Sequence, residues 1–412
     1  MSFSTPNVLR TLALIVMLLS AQHTTDRCSA ANHDPLNDTV EVGPELLTQP
    51  PKKGDIPIFA SIYRDVSNQE TTFLATHYDC IFVVDAHCDK ELVDKLRQEN
   101  PRLKVFVLTN PYFFQNHYGT LKDEWKARTE GGHYIYSTYG RTADYKIHLM
   151  DYPNRHWLTF FAEQAAKTVK ASGADGLLCD TLTNSPPYPA WATGLHKGYS
   201  IENWKAANNF LLKELREKLG QAEIIYNGLV PDERTELQNS EYLAYSDGAA
   251  LETFGLGGPT LDDGLEYRIW FFRNGILTLM KQAVSQGKYL FLAIRTDERS
   301  RETQRFALCA FLLLRTDRTF FYAASKKGDE MIMWFPEWRL ELGEPTGPYR
   351  REKELYTREY ENGLIVLNGG MSARTVQLNT PYVTVDTERI GSVELQSYTG
   401  AIILKPQDTQ AQ

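Results

Sequence analysis

Cysteine is scarce in this sequence, five residues in 412, and their placement excludes a disulfide framework. Cys80 and Cys88 bracket an apolar run, so an extended chain would hold them roughly 26 Å apart, far beyond disulfide reach. Cys179 and Cys309 sit inside apolar segments, where a free thiol behaves as a small hydrophobe. No CxxC or HxH pair occurs, which removes the spacings that build structural zinc sites. Basic clusters are missing too. The formal net charge is −8 and the 44 Lys and Arg are dispersed, so nucleic acid is set aside as a partner, because its backbone is bound by massed basic side chains. No apolar run reaches the roughly 20 residues of a spanning helix, and stable membrane insertion is not expected. Internal repeats and low-complexity blocks are also absent.

What is present begins at the N-terminus. Arg10 precedes the short apolar run LALIVMLL (12–19), and small residues follow at Ser20-Ala21 and Cys28-Ser29-Ala30. A positive end, a brief apolar stretch and small residues mark a secretory signal peptide over 1–30, cut after Ala21 or Ala30. An uncleaved anchor is the alternative. Residues 31–54 are polar and rich in Pro and Asp, the composition of a disordered lead-in. The expected location is therefore secreted or periplasmic.

From Ile56 onward, short apolar runs alternate with amphipathic stretches. The runs are IPIFASIY (56–63), YDCIFVVDA (78–86), LKVFVLTN (103–110), ADGLLCDT (174–181), AEIIYNG (222–228), GAALETF (248–254), KYLFLAIR (288–295) and RTFFYA (318–323). Helical periodicity lies between them at 90–100, 155–173, 201–220, 267–287 and 300–315. Strands apolar on both faces and separated by helices imply a parallel sheet. Eight such units predict a (β/α)₈ barrel over 55–340. The first two links are short, so one of their helices is expected to be irregular. The third unit carries a long insertion, 111–154, rich in Tyr, His and Gly. Such connections at strand C-termini form active-site walls, or else plain surface excursions. Past the linker-like LGEPTGPY (342–349), period-two alternation with Asn-Gly and Thr-Gly turns predicts a small antiparallel β domain, sandwich-like, over 341–406.

In a barrel of this kind the residue that finishes a strand looks into the pocket. The eight ends supply Tyr63, Asp85, His87, Asn110, Tyr112, Asp180, Asn227, Glu252, Arg295 and Tyr322. Asp180 after the fourth run and Glu252 after the sixth are the strongest pair. Their strands are separated by one, so their ends can face each other across a sugar. Glycoside cleavage needs one ionised and one protonated carboxyl at such a distance. Ala249-Ala250-Leu251 and Phe254 around Glu252 suggest desolvation, while Thr181 and Asn184 offer donors that would keep Asp180 ionised. Each carboxylate could instead be a cap or half of a salt bridge. Asn110 and Asn227 suit hydroxyl recognition, since each amide both donates and accepts. Asp85 reads as a sugar-binding carboxylate; Asp85-Ala-His87 as a metal site lacks the two histidines on the first strand that metal-dependent barrels use. Arg295 fits a sugar contact or a salt bridge to Asp297 or Glu252. Trp334, Phe335 and Trp338 fit an aromatic platform or a domain interface. No strand-end Ser or Cys has a paired histidine for a nucleophilic triad.

The motifs GLLCDTL, IIYNG, ALETF and the C-terminal YENGLIVLN resemble the glycoside hydrolases of the hypothetical glycosyl hydrolase family 15. They are also similar to the barrel of endo-α-1,4-polygalactosaminidases and, more distantly, α-galactosidases. The resemblance runs over about residues 55 to 405. It implies a carboxylate nucleophile after the fourth strand and an acid/base after the sixth, which by position are Asp180 and Glu252. LMDYPNRHW (149–157) resembles the segment ahead of the fourth strand and implies that Asp151 lies near the pocket rim, a substrate-binding position like that of Tyr112. The long aromatic insertion and Cys179 depart from the pattern.

Together these readings give an expected exported glycoside hydrolase that acts on an α-linked oligosaccharide or polysaccharide without a cofactor or metal. The alternatives are a carbohydrate-binding protein on a glycosidase-like barrel and a metal-dependent barrel hydrolase.

Overall fold

A computed structural model describes residues 52–138, 147–230, 236–252, 254, 285–296, 301–325, 332–385 and 388–406, with short pieces at 40–41 and 47. The expected signal peptide and most of the helix expected at 267–287 lie outside the described residues. So do residues 139–146 of the insertion and Asp297.

All eight expected strands form. They are β1 (Phe59–Ile62), β2 (Cys80–Val84), β3 (Lys104–Thr109), β4 (Gly176–Cys179), β5 (Glu223–Asn227), β6 (Gly248–Leu251), β7 (Tyr289–Thr296) and β8 (Thr319–Ser325). They pair in parallel in sequence order. A parallel bridge from Ile58 to Phe321 brings the last strand back to the first, and Phe321 N–H donates to the Pro57 carbonyl at 3.0 Å. Inside, Phe59, Phe82 and Phe291 meet edge to face at 4.7–5.3 Å. This aromatic plug makes the barrel a packed core rather than a pore.

Helices α1 (Asn68–His77), α2 (Lys90–Glu99), α3 (Arg155–Ser172), α4 (Ile201–Leu219) and α5 (Arg301–Leu314) lie between strands. The first two are regular, ten residues each, which corrects the expectation of an irregular one. Local signals suffice: Ser67 and Glu70 close a capping box on α1, and Asp89 caps α2. Gly173 ends α3 with φ 73°, a left-handed position that suits glycine.

The C-terminal region is β9 (Arg350–Glu352), β10 (Leu355–Tyr360), β11 (Gly363–Asn368), β12 (Arg374–Thr384), β13 (Arg389–Leu395) and β14 (Gly400–Leu404). These form one antiparallel sheet in the order β9-β10-β11-β14-β12-β13. Helix α5 covers one face of the sheet, and Val366 and Ile403 cluster with Val376, Val393 and Leu395 of β12 and β13 in a second small core. Arg358 on β10 binds the C-terminal end of that helix, donating to the carbonyls of Leu312, Leu313 and Arg315 at 2.9–3.1 Å. Tyr360 O–H donates to the Leu312 carbonyl at 2.6 Å. These carbonyls have no partner within the helix, and a cation there also meets the negative end of the helix dipole. The linker-like stretch is held as well: Leu342 is fully buried and its N–H donates to Asp55 at 3.1 Å.

Trp334, Phe335 and Trp338 are buried. Trp334 packs edge-on to Phe73 and His77 of α1, and Trp338 packs on Tyr78. Their burial against α1 and Tyr78 leaves them no exposed face to serve as a ligand platform.

Arg358→Met keeps the apolar stem and removes the donors. Its expected cost is about 1.5–3 kcal/mol, the range for hydrogen bonds involving a charged group, read as a lower denaturant midpoint in equilibrium unfolding. An unchanged midpoint would show that the clamp adds nothing.

Candidate active site

The parallel register sets the height of each strand end. Cys179 pairs with Tyr226, so Asp180 stands level with Asn227, and Asn227 pairs with Ala250. Glu252 follows two residues later on the neighbouring strand. The Asn227 amide therefore lies between the two carboxylates, and it donates to both. Its Nδ2 is 2.8 Å from Asp180 Oδ1 and 2.7 Å from Glu252 Oε1. Two contacts of 2.8 and 2.7 Å meeting at one nitrogen hold those oxygens no more than 5.5 Å apart.

Asp180 is bound on its other side as well. Asn110 Nδ2 donates to Asp180 Oδ2 and to Thr181 Oγ1, each at 3.0 Å. The Asp180 N–H donates to the Thr109 carbonyl at 2.9 Å. Thr181 then adopts φ 59°, a left-handed conformation that a β-branched residue enters only under constraint. Behind this turn, Asn184 donates to the Gln238 carbonyl at 2.8 Å and accepts from Tyr242. Asn208 donates to the Thr183 carbonyl at 2.9 Å, and Asn239 to the Leu182 carbonyl at 3.0 Å. Asn184 thus braces the loop and does not donate to Asp180, contrary to the sequence reading.

Glu252 and Asn227 line a cleft at the mouth of the barrel that is partly open to solvent. Its floor is Phe59 and Phe82, and its walls include Ser61, Tyr63, Tyr322 and Ala324. Burial pushes the Asp180 carboxyl above its ordinary value, and the donors Asn227, Asn110 and Thr181 oppose that rise. Desolvation is therefore marked at Asp180. Two carboxylates this close titrate as a pair, since ionising one hinders ionising the other. Burial, and then the charge of Asp180, also push the Cys179 thiol well up, so it stays protonated and is no nucleophile.

The other expected contacts divide. Asn110 and Asn227 are at the site, but their amide donors serve the carboxylates. Asp85 is buried, and its Oδ2 accepts from Tyr118 O–H at 2.6 Å and Thr109 Oγ1 at 3.0 Å. It braces the start of the insertion rather than facing the cleft lining. His87 Nδ1 lies 2.6 Å from Asp65 Oδ1, apart from Asp85. Tyr112 is fully buried, stacks on Tyr152 at 4.6 Å, and accepts from Trp204 Nε1 at 2.7 Å. That corrects it from sugar contact to wall. Asp151 sits ahead of α3, where burial raises its carboxyl and Asn154 opposes the rise; its N–H donates to the Trp125 carbonyl at 2.7 Å. Arg295 lies on β7, and its side chain lies outside the described residues. Thr181 was read from sequence as a donor to Asp180, but its left-handed backbone was not, because nothing in a Thr signals one.

The profile of the family described as hypothetical glycosyl hydrolase family 15 matches residues 97–364, a span that includes Asn110, Asp180, Asn227 and Glu252. No curated protein matches the chain. Among solved structures, the chain is similar to the glycoside hydrolase domain of PelA from Pseudomonas aeruginosa, with 15% identity, 67% of this chain and 97% of that chain covered, and a TM-score of 0.46. It is also similar to an α-amylase from Geobacillus thermoleovorans complexed with acarbose, with 11% identity, coverage of 86% and 99%, and a TM-score of 0.47. For Amy13B of Eubacterium rectale the identity is 9%, the coverage 90% and 99%, and the TM-score 0.47.

The raised Asp180 carboxyl has a consequence for stability. The folded chain holds that proton more tightly than the unfolded chain does. Its contribution is thus fully present below the ordinary carboxylate value and is lost as pH rises through the raised one. Asp180→Asn cannot ionise and should flatten this part of the stability–pH curve in denaturant titrations. Asn227→Ala removes a donor to the charged form, so the Asp180 carboxyl midpoint, followed by ¹³C NMR, should move further up. A downward move would contradict the bridge.

Proposed function

The chain belongs to the hypothetical glycosyl hydrolase family 15, and on that premise we propose that it is an exported glycoside hydrolase that cleaves an α-linked glycan with retention of anomeric configuration. Asp180 is the nucleophile and Glu252 the acid/base. The observation that carries this reading is the single Asn227 nitrogen bonded to both carboxylates. Retaining enzymes hold their carboxyls about 5–5.5 Å apart, and inverting ones about 6.5–9.5 Å, to admit a water between carboxylate and sugar. A pair bridged by one nitrogen sits at the short end.

The roles follow from the partners. Asp180 accepts from two amides, which favours its ionised form as it attacks the anomeric carbon. Glu252 gives its proton to the glycosidic oxygen as that bond breaks. In the second step Glu252, now ionised, takes a proton from water, which attacks the anomeric carbon and frees Asp180. As negative charge leaves Asp180 and appears on Glu252, the Asn227 N–H groups stabilise whichever carboxyl carries it.

Similarity to endo-α-1,4-polygalactosaminidases supports an α-linked, amino- or galacto-configured substrate. The charged-then-apolar N-terminal pattern with small residues after it supports export. No described helix is long and apolar enough to cross a membrane.

Asp180→Asn and Glu252→Gln should each lower kcat on α-1,4-linked galactosamine oligosaccharides by at least about 10³-fold. Product anomers followed by ¹H NMR should retain configuration, and azide should restore turnover to Asp180→Gly with the opposite anomer. Variants as fast as the parent would overturn the assignment of roles, and an inverted natural product would overturn the mechanism. Export is checked by N-terminal sequencing of the mature protein recovered outside the cytoplasm.

A further inference from the structure

The 111–154 insertion and the loop after Asp180 meet at the barrel rim, and there they leave a pair of aromatic rings only half covered. Phe113 and Trp191 stack with ring centroids 5.5 Å apart and planes 23° from parallel, and both are half-buried. Neighbouring Phe114 differs, packing among Trp125, Trp157 and Phe160. Tyr188, 39% exposed, lies on the turn closed by Trp191 N–H to the Pro187 carbonyl at 2.9 Å. Aromatic surface left uncovered forgoes burial worth roughly 25 cal/mol per Å².

The position of the pair is fixed from both sides. Phe113 N–H donates to the Asn110 carbonyl at 3.1 Å, closing a turn that keeps the two Cα atoms within about 7 Å. Asn110 is the residue whose amide holds Asp180. Trp191 stands on the loop that begins at Asp180, and its carbonyl accepts from Thr138 N–H at 2.9 Å. Tyr112, edge-on to Trp191 at 5.8 Å and fully buried, supports the ring from within. The rings are thus tied through hydrogen-bonded backbone, Phe113 to the residue that holds Asp180 and Trp191 to the insertion.

We propose that Phe113 and Trp191, with Tyr188 on the same turn as Trp191, form a stacking shelf for a sugar unit next to the one held between Asp180 and Glu252. The C–H bonds on one face of a pyranose carry partial positive charge and meet the negative face of the ring, while the sugar hydroxyls around its edge stay in water. The site therefore favours an oligosaccharide or polysaccharide chain over a single glycoside. The inference rests on the glycan reading of the preceding subsection but on different residues, so the two can fail separately.

The test is binding measured by calorimetry in Asp180→Asn protein, with α-1,4-linked galactosamine oligosaccharides and maltooligosaccharides of two to six units as probes. Affinity should rise with chain length, and Trp191→Ala or Phe113→Ala on that background should remove about tenfold or more of the gain. Trp191→Phe, which keeps a flat ring, should restore most of it. Equal chain-length dependence in folded alanine variants overturns the shelf, as does no binding by either series to the Asp180→Asn protein. Binding that responds to these variants while the unmodified protein hydrolyses neither series supports the shelf and counts against the catalytic reading alone.

Discussion

One amide nitrogen shared by two carboxylates governs the rest of this molecule. Asn227 can reach both Asp180 and Glu252 because its strand lies between theirs, with Asp180 level with it and Glu252 two residues past its partner Ala250. With that nitrogen fixed, little freedom is left at the rim. Asp180 must turn its second oxygen to Asn110, and the chain past it passes through a left-handed threonine. The chain past Asn227 must turn as well. Gly228 does so with φ 106°, and a Cβ there would lie 2.8 Å from the Thr183 side chain, so glycine is needed on both counts.

Holding two carboxylates this close is electrostatically unfavourable, and burial of Asp180 adds to it. The surroundings resist relaxation. Below the pair, the Phe59, Phe82 and Phe291 plug fills the barrel. Behind it, Asn184, Asn208, Asn239 and Tyr242 form a buried network on the backbone of residues 182–184. Such a network, once its members are bonded, rigidifies the loop it holds. The carboxylate pair is thus held in place by the residues packed around it, the usual way strained polar sites persist.

The C-terminal sheet plays its part at a distance. Its contact is with helix α5, which links β7 to β8, the strands that carry Arg295 and Tyr322. Arg358 and Tyr360 satisfy the last carbonyls of that helix. The sheet therefore replaces the water that would otherwise solvate the helix end, and it braces the final unit of the barrel.

The barrel was legible in the sequence because its signal is local and repeated: eight apolar runs, each followed by a turn and mostly by an amphipathic stretch. The Asp180 and Glu252 positions were legible for the same reason, since a strand end is where the apolar pattern stops. Partnership was not. Asn110 and Asn227 looked like sugar ligands and serve carboxylates; Tyr112 stood at a strand end and turned into the wall; Asn184 followed Asp180 closely and points away from it. A side chain's partner depends on register between strands far apart in the chain and on which way a loop turns back. By itself the sequence determined the architecture and where carboxylates emerge from it. Only the tertiary structure decided that one nitrogen would join them, because a hydrogen bond requires atoms within about 3 Å, and periodicity places residues on faces without bringing two of them together.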